Sequence, residues 1–505
     1  MTAPTTPNDI TRQWTIMVYF AGQNRLFDEM VYQLKELKEV NPDPNRLALL
    51  AQFATKPVKK RDVTGTNLPT PRRFDLVTDD QHPAGSVAMN LVEAPESARS
   101  GESEDDEEDQ LVDELVDFIV WGIKTHQAKR YMVVFGGDGG GVLADFLPSK
   151  GKPPKGMRPR KLSKVFLRVR DECKKELKTG KIDIVGLDAC LMSMTEICYG
   201  LRDYADFLVS SEGNEDDLGW PYTDVFEILN RIPDLEAREL ASHVVTAYNS
   251  YYLDYALIAD ASANLSAVDL GQMENLARAV SGFTEVANLL LPINQDFEHL
   301  DLPQQIFVGL LVHAHWVAQT YRQDQYTDVG DFFTTLRDET KQIMGTHEDL
   351  LRDLKPIVDA CDGILVTLGL AEDSASSAIV SSCNVGVKYQ YSTGLSMYLP
   401  WSHVDEKYFE RREHHDRSGH KKPLEAFALA TGWGEFLLRY VEASRRPCKT
   451  RGTIPREELP GGISAFMRRD PPDGRGSLPG EHEGAKNPPS EWNMGECVAT
   501  PFLDL

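Results

Sequence analysis

The sequence predicts an α/β fold with a mostly parallel central sheet, helical insertions and an extended C-terminal tail, and three observations carry that prediction. Apolar, β-rich runs alternate with patterns of helical period from Trp14 to Ser210, the order of a sheet whose strands are joined by helices. Two of the runs, Tyr131 to Phe135 and Ile182 to Leu187, stop in short loops, Gly136 to Gly141 and Asp188-Ala189-Cys190. Open α/β sheets carry their chemistry in the crevice beyond such strand ends. The tail from Arg445 is rich in Pro, Gly and charge, a composition that buries little apolar surface.

Trp14 to Ala21 (WTIMVYFA) reads as the first strand, and Leu26, Met30, Leu34 and Leu37 space a helix after Gly22-Gln-Asn. Leu47 to Phe53 reads as a second strand, and the polar stretch Val63 to Val77, with its Asn-Leu-Pro-Thr-Pro turn chemistry, fits a hairpin. Glu102 to Asp109 (ESEDDEED) is a block of like charge that cannot bury itself and is expected as a solvated linker or loop. Leu111 to Ile123 is an amphipathic helix, and Lys150 to Lys164 (KGKPPKGMRPRKLSK) is expected as an exposed basic loop. A helix over Leu162 to Leu177, the strand Ile182 to Leu187, a helix over Leu191 to Tyr204 and a strand at Phe207 to Ser210 complete the alternation. Further helices are expected at Val225 to Ile232, Glu236 to Tyr251 and from Met273, with a strand at Leu265 to Leu270. Residues 303–362 read as mainly helical, Ile379 to Pro400 as strands, and Glu425 to Val441 as a last helix.

At 505 residues the chain has room for two to four domains, on a prior of about 100–200 residues each. A formal charge of −24 disfavours a nucleic-acid or anionic-membrane binder, because phosphate neutralisation needs clustered Lys and Arg; a basic partner suits this field better. The first 13 residues are polar, and no run approaches the roughly 18 apolar residues of a membrane span, so a cytoplasmic location is expected. The seven cysteines are scattered and lack CxxC spacing, which fits reduced thiols rather than a zinc site.

Cys190, at a strand end, is a candidate nucleophile. A cysteine at such a place is often only a small buried hydrophobe, so the argument needs partners. Cysteine-based acyl transfer needs a thiolate, a base or cation to create it, and backbone amides where the oxyanion develops. Glycine amides around Gly139 can supply the last. Gly136 to Gly141 can also be read as a phosphate-cradling loop, but it lacks the GK[ST] ending and its Asp138 repels phosphate.

Val133-Val-Phe-Gly-Gly-Asp-Gly-Gly-Gly-Val-Leu-Ala-Asp-Phe-Leu147 resembles the strand-Gly-His-Gly-x-Gly…Asp-Phe-Leu loop of clostripain-type cysteine peptidases, and Asp188-Ala-Cys190-Leu-Met resembles their nucleophile motif. Asp203 to Glu212, Gly219-Trp-Pro-Tyr222, Tyr326 to Phe332, Gly394 to Pro400 and Thr431 to Phe436 extend the resemblance over most of Trp14 to Val441. It implies a caspase-like α/β/α sandwich that cleaves proteins or peptides after Arg or Lys. On that basis 1–280 is the catalytic core, with an acidic insert at about 56–109 and the basic loop 148–164; 281–445 is a helical region with further strands completing the domain, and 446–505 is the tail. By matched position Cys190 is the nucleophile, Gly139 the oxyanion amide and Asp188 a wall of an acidic pocket for the basic side chain. A second carboxylate is expected from the loop Glu212 to Asp217, with Glu212 and Asp216 as candidates.

The family's histidine falls on Asp138, and a carboxylate beside a thiol raises the thiol pKa, the reverse of activation. The chain as written is therefore expected to be inactive or impaired, or to act as a pseudo-peptidase that binds or regulates a partner protein. No histidine sits in an obvious strand-end loop: His126 belongs at the opposite end of its strand, and His313 and His315 fall in a helical stretch. The resemblance further implies a zymogen processed between loop and nucleophile, here at Lys150, Lys152, Lys155 or Arg158, by itself or by an activating protease. It also implies a place in bacterial proteolytic signalling or defence. No cofactor is required; calcium dependence is implied by some relatives, but no EF-hand pattern occurs.

Overall fold

The computed structural model describes residues 12–54, 72–78, 87–92, 104–149, 155–259, 261–291, 300–322, 325–347, 350–371, 374, 376–409 and 425–449. Its elements run β1 (Trp14–Phe20), α1 (Phe27–Glu39), β2 (Leu47–Phe53), β3 (Arg72–Thr78), β4 (Val87–Val92), α2 (Glu104–Thr125), β5 (Arg130–Gly136), β6 (Phe146–Ser149), β7 (Lys155–Met157), α3 (Leu162–Glu172), β8 (Ile182–Asp188), α4 (Thr195–Leu201), β9 (Ala205–Ser210), α5 (Tyr222–Phe226), α6 (Ile228–Arg231), α7 (Ala237–Ala259) and β10 (Ala263–Asp269). Then follow α8 (Met273–Leu290), α9 (Leu302–Val317), β11 (Thr320–Tyr321), β12 (Tyr326–Asp328), α10 (Val329–Thr346), α11 (Leu351–Leu368), β13 (Ile379–Val385), β14 (Ser396–Tyr398), α12 (Ala426–Thr431) and α13 (Trp433–Lys449). The chain divides into two compact units, 1–271 with 380–388, and 272–379 with 389–505.

In the first unit nine strands form one sheet in the order β13-β10-β9-β8-β5-β1-β2-β3-β4. β1 runs parallel to β2 and β5, β5 to β8, and β8 to β9. β10 joins β9 antiparallel, and β3 is antiparallel to both β2 and β4. This is the mostly parallel sheet that the alternation of runs predicts. All seven residues of β1 are buried because helices cover both faces. Trp14, Ile16, Val18 and Phe20 pack with Met30, Leu34 and Leu37 of α1 and with apolar residues of α5 and α7. On the other face Tyr19 meets Phe118 of α2 at 6.3 Å between ring centres, and Phe135 meets Phe166 of α3 at 6.1 Å. A parallel sheet covered on both sides needs such near-continuous apolar strands, and each fully buried Val, Ile or Phe contributes about 1.5–3 kcal/mol.

Several expectations change in the folded chain. The acidic block is not a linker in its described part: Glu104 onward is the first turn and a half of α2. Glu108 and Asp109 there pair with Lys161, at 2.6 and 3.2 Å, and Asp109 with Lys164 at 2.9 Å. A partner from a distant segment neutralises what local like-charge repulsion would have kept solvated. The basic stretch likewise contains β7, a short 3-10 turn and the start of α3, while 150–154 lie outside the described residues. A hairpin does form near the expected place, but from Arg72–Thr78 with Val87–Val92; 63–71 lie outside the described residues. The helix expected from Leu191 starts only at Thr195, since the amides of Leu191 and Ser193 are donated to the carbonyls of Gly213 and Ser211 rather than to a helix. The last helix breaks at Gly432, whose φ of +69° ends α12 before α13 begins.

The second unit packs α8 to α13 around Phe283, Phe333 and Phe436, with ring centres 4.9 and 5.5 Å from Phe283, beside the small sheet β11-β12-β14. Asp328 caps α10 by accepting from the Asp331 amide at 2.7 Å, and also accepts from the Thr393 amide at 2.6 Å.

Candidate active site

After β1 the chain crosses to β2 on one side, and it returns to β5 on the other. The loops leaving β1 and β5 therefore diverge at the carboxyl edge of the sheet, which is where an open α/β sheet forms its crevice. β5 and β8 end in register, Gly136 beside Asp188. Two residues beyond each partner stand Asp138 and Cys190, and both line one pocket with Leu26, Met30, Gln33, Gly137, Asp188, Ala189, Glu215, Asp216, Asp217 and Gly219.

The turn that presents the thiol is held tightly. Leu191 has φ of +64°, a left-handed conformation that costs a side-chain-bearing residue energy, and its amide donates to the Gly213 carbonyl at 2.8 Å. The Gly137 amide donates to the Asp188 carbonyl at 3.0 Å. A Cβ on Gly139 would lie 2.4 Å from the Cys190 carbonyl oxygen, so only glycine lets the β5 loop close onto the thiol-bearing turn. Sγ of Cys190 accepts from the Glu215 amide at 3.2 Å and donates to the Glu215 carbonyl at 3.7 Å.

The electrostatics around this thiol are anionic. Asp188 Oδ2 accepts from the Tyr222 hydroxyl at 2.7 Å and from Gln33 Nε2 at 3.3 Å. Burial nevertheless pushes its carboxyl up to about 6, despite those bonds and one from Glu215. Glu215 rises well above the usual carboxyl range, first through burial and then through the charge of Asp188. Asp138 is raised by burial, against the pull of Arg25. Arg25, in the loop after β1, reaches Asp138 at 3.3 Å and Asp217 at 2.6 Å. The Cys190 thiol is pushed up to about 12, by burial first and then by the charge of Glu215; Arg25 opposes the shift weakly. At pH 7 on the order of 10⁻⁵ of the protein then carries a thiolate.

The structure thus brings Cys190, Asp138, Gly139, Asp188 and Asp216 to one place. Glu212 is 2% exposed and is not part of the pocket lining, where Glu215 stands instead. Glu215 lies in the Glu212 to Asp217 loop expected to supply a second carboxylate, though the sequence does not single it out, and Arg25 and Gln33 lie outside every expectation. The signal for Glu215 was weak, one acid among several in a loop; for Arg25 and Gln33 there was none, because only the sheet order brings β1's exit to β5's. His126 sits 3.6 Å from Asp75, and the Thr15 hydroxyl donates to its carbonyl near the start of β1, at the edge away from Cys190. His313 pairs with Glu339, and His315 is buried against Trp401 with Nδ1 2.8 Å from the Tyr440 hydroxyl. Among the described residues no histidine lines the pocket. Among them too, no three or more His, Cys, Asp and Glu side chains converge as a metal-ligand set.

Of the expected processing positions, Lys150 and Lys152 lie outside the described residues, and Lys155 opens β7. Arg158 is engaged on both sides: its amide donates to Glu108 at 3.2 Å, and its guanidinium donates to the Leu143 carbonyl at 3.0 Å and faces Asp145 at 3.6 Å.

A thiol at the carboxyl edge of a doubly covered parallel sheet, with an acidic pocket at its side, is the layout of a cysteine-peptidase scaffold. The family model Peptidase C11, Clostripain family, matches residues 90–436, and the chain belongs to that family. A comparison with curated proteins returned no match. Among solved structures the fold is similar to that of a secreted C11 cysteine protease from Bacteroides thetaiotaomicron in complex with an irreversible peptide inhibitor, at 16% identity and a TM-score of 0.54, covering 84% of this chain and 99% of that one. An inactive zymogen C11 protease from Parabacteroides distasonis is also similar, at 16% identity and a TM-score of 0.46, covering 79% of this chain and 94% of that one. No described helix is long and apolar enough to cross a membrane.

Proposed function

We propose that this chain is a clostripain-type cysteine endopeptidase that selects Arg or Lys at the cleavage position and that, with Asp138 in the place of the catalytic histidine, turns substrate over very slowly. The observation that carries this reading is the shared wall of thiol and pocket: Cys190 and five carboxylates, Asp138, Asp188, Glu215, Asp216 and Asp217, line one cleft. The carboxylates fit a guanidinium or ammonium through charge-assisted hydrogen bonds. The same carboxylates hold the thiol protonated, and no group lining the cleft can take its proton as imidazole would. Loss of a catalytic base costs about four to six decades in rate.

A second reading, a pseudo-peptidase that holds a basic segment of a partner protein without cutting it, draws on the Arg25 bridge from Asp138 to Asp217. That bridge satisfies Asp138 as a structural anion. Processing at Lys150, Lys152, Lys155 or Arg158, by the chain itself or by an activating protease, a cytoplasmic location and a role in bacterial defence belong to the peptidase reading.

Asp138→His decides between the two. It is expected to raise cleavage of Arg and Lys reporter peptides by at least about a thousandfold, with all of the gain lost in Asp138→His/Cys190→Ala. Silence of Asp138→His, with tight binding of an uncut basic peptide, would establish the pseudo-peptidase.

A further inference from the structure

The floor of the pocket holds two acids that the thiol chemistry does not use as a pair. Asp188 is 4% exposed, and Glu215 holds the thiol through its backbone, the amide donating to Sγ and the carbonyl accepting from it, while its side chain meets Asp188. Two buried carboxylates in contact cannot both ionise without a cation between them. The groups facing them are neutral or anionic. Gln33 comes from α1, Tyr222 from α5, and Tyr248 and Tyr252 from α7, while Asp138, Asp216 and Asp217 line the walls. Arg25, the cation beside Asp138, is engaged with Asp138 and Asp217 rather than with this pair.

Two acceptor atoms at this floor are also buried without a hydrogen bond from the protein, Glu215 Oε1 and Gln33 Oε1. Gln33 is 3% exposed. Buried acceptors left in this state call for a donor, and a guanidinium brings five.

Resting on the basic-residue specificity proposed above, we propose that Asp188 and Glu215 hold one proton between them in the empty pocket, and that an entering guanidinium or ammonium takes its place. The exchange balances simply: the ligand enters as a cation and stays one, the pair passes from one negative charge to two, and the proton leaves to solvent. Glu215 is then a specificity residue, because its carboxyl supplies the second charge only when a cation is present. The pocket would discriminate against neutral side chains twice, by lost hydrogen bonds and by a pair that remains protonated.

The test uses the intact chain and agmatine, a free guanidinium ligand, in titration calorimetry with buffers of different ionisation heat. The expected result is close to one proton released per agmatine near neutral pH, and an affinity that rises up to about tenfold per pH unit on the acid side. Glu215→Gln should bind more weakly, release no proton and show a flat pH profile. A protonated-carboxyl stretch in the infrared spectrum at neutral pH should vanish in Glu215→Gln and on agmatine binding, which separates loss of the shared proton from misfolding. Agmatine binding with no proton release and no pH dependence would overturn the shared proton while leaving the basic pocket in place. Absence of binding at every pH would overturn the pocket reading and the inference with it.

Discussion

Asp138 and Cys190, each two residues beyond strand ends in register, line one cleft, and the charges around the thiol decide its reactivity. Burial and the neighbouring acids keep the thiol neutral up to about pH 12. Alkylation of Cys190 by iodoacetamide should therefore climb about tenfold per pH unit from pH 7 to pH 10 with no neutral plateau. Asp138→Asn should speed it a few-fold at pH 8 by removing a repelling charge, and Arg25→Gln should slow it; a rate independent of both substitutions would disprove this account of the thiol. The residue scale is where sequence reading was both strongest and weakest. The positions of Cys190 and Asp138 next to their strands were legible because strand runs and glycine loops are local signals. The partners Arg25 and Gln33 were not, since their roles depend on segments 113 to 192 residues apart coming together, and Glu215, 25 residues beyond Cys190, was one acid among several in its loop.

At the scale of elements, the start of α2 acts on the basic segment before α3. Glu108 takes the Arg158 amide and the Lys161 ammonium, and Asp109 takes Lys161 and Lys164. Partly exposed ion pairs of this kind each contribute about 0–1 kcal/mol, and together with the bonds from Arg158 to Leu143 and Asp145 they tie the segment 158–161 down, so that it cannot swing free into a protease cleft. The bonds after Lys152 and Arg158 precede prolines and resist trypsin in any conformation, so Arg160 and Lys161 report the anchoring: limited trypsin digestion should cut there slowly in the wild type. Glu108→Ala/Asp145→Ala should raise cleavage after Arg160 and Lys161 several-fold, as read by mass spectrometry of the early fragments; equal cleavage there in the wild type and the variant would refute this protection. Sequence reading gave the acidic block as a linker and the basic stretch as a loop, each on its own correct chemistry. What it lacked was that opposite charges some 50 residues apart meet, which makes a helix start out of one and an anchored turn out of the other.

For the whole molecule, stability carries the cost of acids buried in the parallel sheet. Asp183, early in β8, is pushed by burial up to about 6, although it accepts from the Tyr131 amide at 2.8 Å. Its folded pKa lies above its unfolded value, so the folded state binds the extra proton; the stabilisation is complete below about pH 4 and is lost as pH rises through about 6. Compared with Asp183→Asn, the wild type should gain about 1–3 kcal/mol as pH falls from 7 to 4, measured from urea midpoints at each pH. A stability difference that does not change with pH would show that Asp183 is not desolvated in solution. Sequence distance does not set the first unit either, since β13 lies far along the sequence yet closes the edge of that unit's sheet.

By itself the sequence determined the α/β class, the parallel core of the sheet and the strand end that bears Cys190, because period, apolar runs and glycine loops act within a dozen residues. Only the tertiary structure decided which acids face the thiol, that Glu215 rather than Glu212 meets Asp188, and that Arg25 spans Asp138 and Asp217. Those outcomes follow from strand order and register, and charges act across space without regard to their separation along the chain.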